Sequence, residues 1–324
     1  MFRAGYLARK AGQLAITLFA VVTFNFILFR VLPGDPLQLI ARSGHLPPEA
    51  VARLRALFGL DRPLFVQYWY YLRNLSHAQF GFSFTYRRQV SSILAERMTN
   101  TIILLGAATV FIVLLGVGLG VFAAARRGSR SDSGTVVTAL VFWSLPTFWT
   151  GMILVFLLGV WLHAFPISGI TTPGALYSSW FDQTTDVVSH IFLPTVTLAL
   201  VDIGQFILIT RSSLVDVLTE DFILTAKAKG LSRRGVVWRH GVRNALLPVI
   251  TASALYISLV VGGAIQVETV FSWPGIGRLI YDAVLRRDYP ILEACFLIFA
   301  VTVILANLAS DLLYQVLDPR VREA

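Results

Sequence analysis

The sequence predicts an all-α polytopic membrane protein with six transmembrane helices and a partly helical external loop after the first. Three observations carry this. Only 14% of the 324 residues are charged and 56% are hydrophobic, whereas soluble domains run near a quarter charged. The deficit takes the form of long apolar stretches, six of which reach or approach the ~20 residues that a helix needs to cross a bilayer, five uncharged and the fourth interrupted by Asp202. The formal net charge of +9 falls in clusters between those stretches. In hydrocarbon a chain must satisfy its own backbone hydrogen bonds, so the stretches read as helices.

The predicted spans are residues 11–29, 98–125, 136–161, 190–210, 245–267 and 294–310, the last extending toward 316. Arg3, Arg9 and Lys10 precede the first. Its apolar run is longer than that of a signal peptide, and "FRVLPGDP" offers no small-residue cleavage site, so it reads as a retained anchor. Gly116, Gly118 and Gly120 lie in the second span, where missing side chains let helices approach closely. Pro146 in the third and Pro194 in the fourth bend or start helices. The chain divides into an N-terminal segment 1–10, the first transmembrane helix 11–32, an external loop 33–97, a five-helix core 98–317 that includes a basic loop at 211–244, and a tail 318–324.

Short loops set the orientation. The loop after the second span holds Arg126, Arg127 and Arg130, and the one after the fourth holds Arg211 and six further cations. Residues 162–189, between spans three and four, hold no Lys or Arg, only Asp182 and Asp186. The basic loops and both termini are therefore expected in the cytoplasm. The first loop carries eight Arg yet falls outside; it exceeds about 60 residues, where the positive-inside rule loses force. Its charge is available to lipid headgroups or to a partner.

Within that external loop, Pro47 or Pro48 can begin a helix whose Val51, Leu54, Leu57 and Phe58 share a face. A second helix is expected over 63–75, with Phe65, Trp69 and Leu72 on one side, and Tyr68, Trp69, Tyr70 and Tyr71 suited to a membrane interface. "FGFSFTY" reads as a short strand or extended edge. Residues 91–97 form an amphipathic elbow into the second span. After the fifth span, Trp273-Pro274-Gly275 is a turn and residues 277–286 a short helix.

The basic loop contains "TAKAKGLSRRGVVWRHGVRN", residues 225–244, with Lys227, Lys229, Arg233, Arg234, Arg239 and Arg243. Its punctuation predicts two short helices. Asp221 can cap the first, with Phe222 to Lys229 as its body. Lys227 and Lys229 then sit near the negative end of its dipole. Gly230 provides a left-handed stop, and Ser232 caps a second helix from Arg233. Ala226 and Ala228 are small enough for close approach by another body. A merely topological basic loop needs none of this; a knob that docks into another protein does.

Several chemistries are disfavoured. One cysteine, Cys295, rules out an internal disulfide and a cysteine-based metal site. The five histidines are scattered without metal-ligand spacing. An intramembrane enzyme needs a nucleophile–base pair, and His163 and His190 stand at span edges with no partner evident in the sequence. No GxxxxGK[ST] loop is present, so any ATP used is hydrolysed by another chain. The basic charge belongs to topology rather than to nucleic acid. Asp202 is the one acid inside a predicted span, which costs at least ~3 kcal/mol unless it faces protein or water. It lines a pathway, pairs with Arg211, or caps a local break; Gln205, Gln266 and Asn307 are weaker pathway candidates, and Asn25 weaker still.

The segment "TAKAKGLSRRGVVWRHGVRNALLP" resembles the EAA loop of ABC importer permeases, in the form found in the dipeptide/oligopeptide/nickel subfamily. "RVLPGDP", "LFGLDRPLFVQYWYYL", "ERMTNTIILLGAA", "LPTVTLAL" and "FSWPGIGRLIYDAVLRRDYPIL" are similar to that subfamily in the same order, so the resemblance covers nearly the whole chain. Two departures from the general pattern stand: Leu224-Thr225-Ala226 replaces its Glu-Ala-Ala, and Gly230 to Pro248 is a longer spacing. Both departures resemble the peptide subfamily.

The resemblance implies a type I ABC importer permease fold and a non-enzymatic subunit that forms half of a translocation pathway for peptides or related small solutes. It implies a second homologous permease, two cytoplasmic ATPase domains or subunits that bind the ATP, an external substrate-binding protein, and a bacterial or archaeal plasma membrane. No cofactor is expected in this chain, and membrane lipid is a partner throughout. Asp221, Phe222, Thr225, Ala226, Lys227, Ala228, Lys229, Gly230, Arg233, Arg234 and His240 are then expected to couple to the ATPases. Trp273, Pro274, Gly275 and Arg278 form a candidate external gate. The alternative is a secondary carrier or channel, which requires ion-coupling groups inside the membrane.

Overall fold

A computed structural model describes residues 4–31, 49, 61–83 and 85–317. Apart from residue 49, the helix proposed after Pro47 lies outside these residues, as does the 318–324 tail. The chain is almost wholly helical among the described residues. In order, it contains α1 (Ala4–Val31), α2 (Leu64–Ser76), β1 (Phe82–Ser83), β2 (Arg88–Gln89), α3 (Val90–Ala125), α4 (Arg130–Trp143) and α5 (Thr147–Leu154). A π-helical segment, Val155–Trp161, extends α5. There follow α6 (Trp180–Val217), α7 (Asp221–Ala228), a turn Arg233–Gly235 with a π segment Val236–Val242, α8 (Arg243–Val270), α9 (Ile276–Arg286) and α10 (Tyr289–Leu317).

The predicted spans all correspond to helices, which mostly run longer than their apolar stretches. The 91–97 elbow is continuous with α3, and α6 starts at Trp180, where Ser179 caps it by accepting the Asp182 N–H at 3.2 Å. Four described helices are long and apolar enough to cross a membrane, or five if the bent pair α4 and α5 counts as one. That pair turns through 100° at its break, where Pro146 is extended and precedes the first residue of α5. Pro194 instead lies inside α6 without ending it. At ~1.5 Å per residue, the 28-residue α8 also exceeds a ~30 Å apolar layer. The helices are thus consistent with six spans, and the chain is a multi-pass membrane protein.

Contacts divide the chain into two units, residues 1–99 with 279–304 and residues 100–278 with 305–324. In the first, α2 lies against α1. Tyr68 shares a 2.6 Å hydrogen bond with Thr23, and Asn25 donates to the Tyr71 hydroxyl at 3.1 Å and to the Glu293 carbonyl at 3.0 Å. Burial pushes the Tyr71 phenol up to about 12, against the Asn25 hydrogen bond, so it stays protonated. Tyr68 and Tyr71 therefore face protein, while Trp69 and Tyr70 are exposed as an interfacial pair would be. The "FGFSFTY" stretch supplies β1, paired antiparallel to β2 with Phe82 opposite Gln89. Ser83, fully buried, donates to Asp288 at 2.5 Å.

The second unit centres on α3, α6 and α8. Leu104, Ala108, Ile112, Leu193, Phe206, Val249 and Phe271 form its core. Gly116 and Gly120, four apart and so on one face, let α3 meet α6 closely: an added Cβ would lie 2.6 Å from Phe206 Cβ and 2.6 Å from Thr210 Cβ respectively. Gly118 faces open space, so two of the three glycines do the packing predicted of them.

Candidate functional site

The basic loop is a folded unit. After α6, helix α7 begins at Asp221, so Asp221 is its first residue and Glu220 occupies the cap position, with no side-chain capping hydrogen bond. The cap assigned to Asp221 is therefore corrected; its carboxylate instead sits in the first turn, where the helix dipole favours it. At the other end Gly230 adopts φ +76°, the left-handed stop expected of it. The Gly230 N–H reaches the Lys227 carbonyl at 3.0 Å and the Leu231 N–H the Ala226 carbonyl at 3.4 Å, the paired closing bonds of a Schellman motif. Ser232 accepts the Gly235 N–H at 3.2 Å, as an N-cap should. The second helix is not separate: it passes through the π segment into α8. The loop proper thus begins at Leu218, since Arg211 lies within α6.

The two small residues divide. Ala226 is buried with Ile223, Val236 and Leu218 in a core of the loop's own, so its size serves internal packing rather than an incoming body. Ala228 is exposed. Exposed with it are Asp221, Phe222, Thr225, Lys227, Lys229, Arg234 and Arg239, while His240 is half-buried. The side chain of Arg233 lies outside the described residues. Three large apolar side chains missed in the sequence share this exposure: Leu224 at 57%, Leu231 at 40% and Trp238 at 55%. Ile223 and Ala226 are three apart and take the inward face, which leaves Phe222 and Leu224 outward.

The turn after α8 is pinned by hydrogen bonds. Trp273, completely buried, donates its indole N–H to the Asn100 backbone carbonyl at 3.0 Å, and the Asn100 side-chain amide donates a hydrogen bond to the Pro274 carbonyl at 2.9 Å. The Ile276 N–H reaches Thr101 Oγ1 at 2.8 Å, and Thr101 donates onward to Glu268 Oε1 at 2.7 Å. The other carboxylate oxygen of Glu268 accepts the Arg278 N–H at 3.0 Å. Arg278 also donates to the Ser272 carbonyl. A Cβ at Gly275 would fall on the Glu268 carboxylate. All four candidate gate residues, Trp273, Pro274, Gly275 and Arg278, meet in this cluster. Glu268, fully buried at its centre, was not singled out from sequence because the apolar run stops at Val267 and α8 continues to Val270.

Among the pathway candidates, Asp202 accepts the Tyr256 hydroxyl at 2.6 Å, which ties α6 to α8. It does not pair with Arg211, which grips Asp132 through Nε at 2.6 Å and a terminal nitrogen at 2.8 Å. Gln205 is half-buried, and Gln266 and Asn307 are exposed; the structure does not gather them around Asp202 by any hydrogen bond among the described residues. Asn25 is engaged by Tyr71 and Glu293, as above. Asp202 is not the one acid in the spans: Glu268 and Glu293, just past the predicted ends, lie inside α8 and α10. His190 is not partnerless either, since its Nδ1 lies 2.8 Å from the Asp186 carbonyl oxygen and 3.4 Å from its carboxylate. Asp186 also accepts from the Thr172 N–H and from the Tyr177 hydroxyl at 2.6 Å, a hydrogen bond that raises the phenol's pKa. This network organises the 162–189 loop and contains no nucleophile–base pair aimed at a cleft.

Residues 116–323 match the family described as the binding-protein-dependent transport system inner membrane component. Residues 1–105 match the N-terminal region of such membrane components. The chain is 36% identical over 333 residues to the dipeptide transport system permease protein of Escherichia coli (strain K12), covering 98% of each. It is 35% identical over 323 residues to the oligopeptide transport system permease protein of Bacillus subtilis (strain 168), covering 98% of this chain and 99% of that one. It is 38% identical over 317 residues to the glutathione transport system permease protein of Salmonella choleraesuis (strain SC-B67), covering 98% of each.

Proposed function

From the premise that this chain belongs to the binding-protein-dependent transport system inner membrane components, we propose that it carries peptides or peptide-like solutes across a bacterial or archaeal plasma membrane. It is a membrane-spanning permease subunit of an ABC importer and not an enzyme. Membership sets aside the ion-coupled carrier. The peptide class follows from the relatives' names, which cover dipeptide, oligopeptide and glutathione transport. A permease of this kind works with ATPase and substrate-binding partners.

In the assembly we envisage, a second homologous permease completes the pathway. Two ATPase domains or subunits bind ATP on the cytoplasmic side, where both termini also lie, and a binding protein delivers solute outside. Residues 218–242 are the coupling element. The observation that carries this reading is the build of that segment. Ile223, Ala226 and Val236 fix its shape from within, while Phe222, Leu224, Leu231 and Trp238 remain exposed among cations. A solvated loop has no use for such a surface; a body that transmits displacement needs a rigid interior and an apolar contact face. ATP-driven closure of the partners would move α7, and the shift would pass to α6 and α8, which leave the loop at its two ends. Asp202 contributes to the pathway wall through its tie to Tyr256, and the Trp273–Arg278 cluster forms part of the external gate.

The test is reconstitution in liposomes with the ATPase, partner permease and binding protein. Uptake of labelled di- or oligopeptides that requires ATP inside and binding protein outside supports the reading. Uptake driven by an ion gradient without ATP overturns it.

A further inference from the structure

A cavity of about 460 Å³ opens beside α7, between that helix and the ends of α3 and α6. Its volume falls within the ~300–1,000 Å³ range of small-molecule sites. Ala124, Leu218 and Val237 give it an apolar wall, while Arg127, Lys227 and Thr219 add polar groups. Neither Arg127 nor Lys227 forms an ion pair among the described residues. Asp132, whose field Arg127 feels, is already held by Arg211 and the Gly128 N–H. The cavity's depth is set by α3: its apolar run ends at Ala125, which lines the cavity, and the Arg pair 126–127 follows. That is the level of lipid headgroups.

From these features we infer that the cavity binds the headgroup of an anionic phospholipid from the inner leaflet. Two cations meet the phosphate, the Thr219 hydroxyl, which donates to the Asp216 carbonyl at 2.6 Å, can accept from a headgroup hydroxyl, and the apolar wall takes the first carbons of an acyl chain. A zwitterionic lipid brings its own cation and gains less; a soluble anion leaves the apolar wall wet. Because Lys227 belongs to α7 while Arg127 follows α3, a bound phosphate bridges the loop to the span end. Occupancy therefore stiffens the attachment of α7. This last, regulatory step rests on the reading of 218–242 as the coupling element; the binding itself does not.

The experiment uses the assembled transporter in nanodiscs containing trace diazirine-labelled phosphatidylglycerol or, in parallel, diazirine-labelled phosphatidylcholine. Illumination, digestion and mass spectrometry then read adducts on peptides spanning 118–127 and 215–227. The expected result is about fivefold more adduct from the anionic probe, as one headgroup–cation contact is worth. Arg127→Gln and, by filling the mouth, Thr219→Trp should each lower that yield about fivefold. Labelling on α1 should stay constant, which shows that the variants fold. Equal adducts from both probes, or unchanged yields in both variants, overturn the inference. So does displacement of the anionic probe by soluble glycerophosphate alone, which would assign the site to a free phosphate. A Thr219→Cys crosslink to the ATPase with no lipid adduct would mean that a protein carboxylate fills the cavity, and also overturns it. ATPase stimulation by phosphatidylglycerol, measured separately, tests the regulatory step: no stimulation despite specific labelling removes that step and leaves the site.

Discussion

Thr101 donates its hydroxyl to Glu268 at 2.7 Å while accepting the Ile276 N–H at 2.8 Å, so one threonine on α3 joins the end of α8 to the start of α9. Glu268→Ala leaves the Thr101 hydroxyl and the Arg278 N–H without this acceptor in a buried place, a cost of about 1–3 kcal/mol each. Glu268→Gln keeps the shape and one acceptor and should lose less. Thermal unfolding of the purified complex orders the three proteins as wild type, Gln, Ala. If Ala and Gln melt alike, the hydrogen bonds are not what holds the turn.

Gly275→Ala should be as damaging as loss of the carboxylate, because the new methyl falls on the Glu268 side chain. The pair Gly275→Ala with Glu268→Ala relieves that overlap and should be less than additive, since the residues touch. Additive losses in melting temperature would count against the packing described.

Arg211 and Asp132 make a two-pronged contact between α6 and the first turn of α4, with Asp132 nearly buried. Arg211→Ala removes both prongs but leaves Asp132 the Gly128 N–H, and Arg211 is itself partly exposed, so the cost should be about 1–3 kcal/mol. Arg211→Lys keeps charge but loses the fork, and should fall between. Unfolding in detergent, read as melting temperature or as the fraction that stays monodisperse, checks the order.

Asp202→Asn retains an acceptor for the Tyr256 hydroxyl and should cost about 1 kcal/mol or less, while Tyr256→Phe takes the donor from a partly buried carboxylate and should cost about 1–3 kcal/mol. If Asp202 contacts only Tyr256, both variants lose stability and leave the KM for solute unchanged. If it also meets the solute's amine in the pathway, Asp202→Asn raises KM and Tyr256→Phe does not.

Much of this was legible in advance. The long apolar helices follow from the apolar stretches between charge clusters, and the Gly230 stop from a glycine after a helical run. The Ser232 cap follows from a short polar side chain before another. What failed to show lay at ends. An apolar run marks where lipid begins, whereas a helix continues while its backbone can bond, so α6 starts ten residues before the predicted 190. Glu268 and Glu293, each one residue beyond a predicted limit, went unnoticed for that reason. Burial of Ala226 and exposure of Leu224 depend on which face of α7 turns inward, a tertiary choice that composition does not encode.

Gly230→Ala faces no steric neighbour, so its cost is the left-handed backbone alone, about 1–2 kcal/mol. Leu224→Ala removes an exposed contact and should leave the chain's own stability near wild type. Both should lower ATP-driven uptake. Equal uptake by Leu224→Ala and wild type would mean that the exposed face is not a contact surface.

The most direct test of the central claim is disulfide or bifunctional crosslinking from Ala228→Cys, in a Cys295→Ser background that removes the single native thiol. In the assembled transporter, the claim predicts an adduct with the ATPase subunit whose yield changes when ATP replaces the nucleotide-free state. No adduct with any nucleotide-binding protein in either state, or labelling of Ala228→Cys by a membrane-impermeant reagent applied outside intact cells, would contradict it.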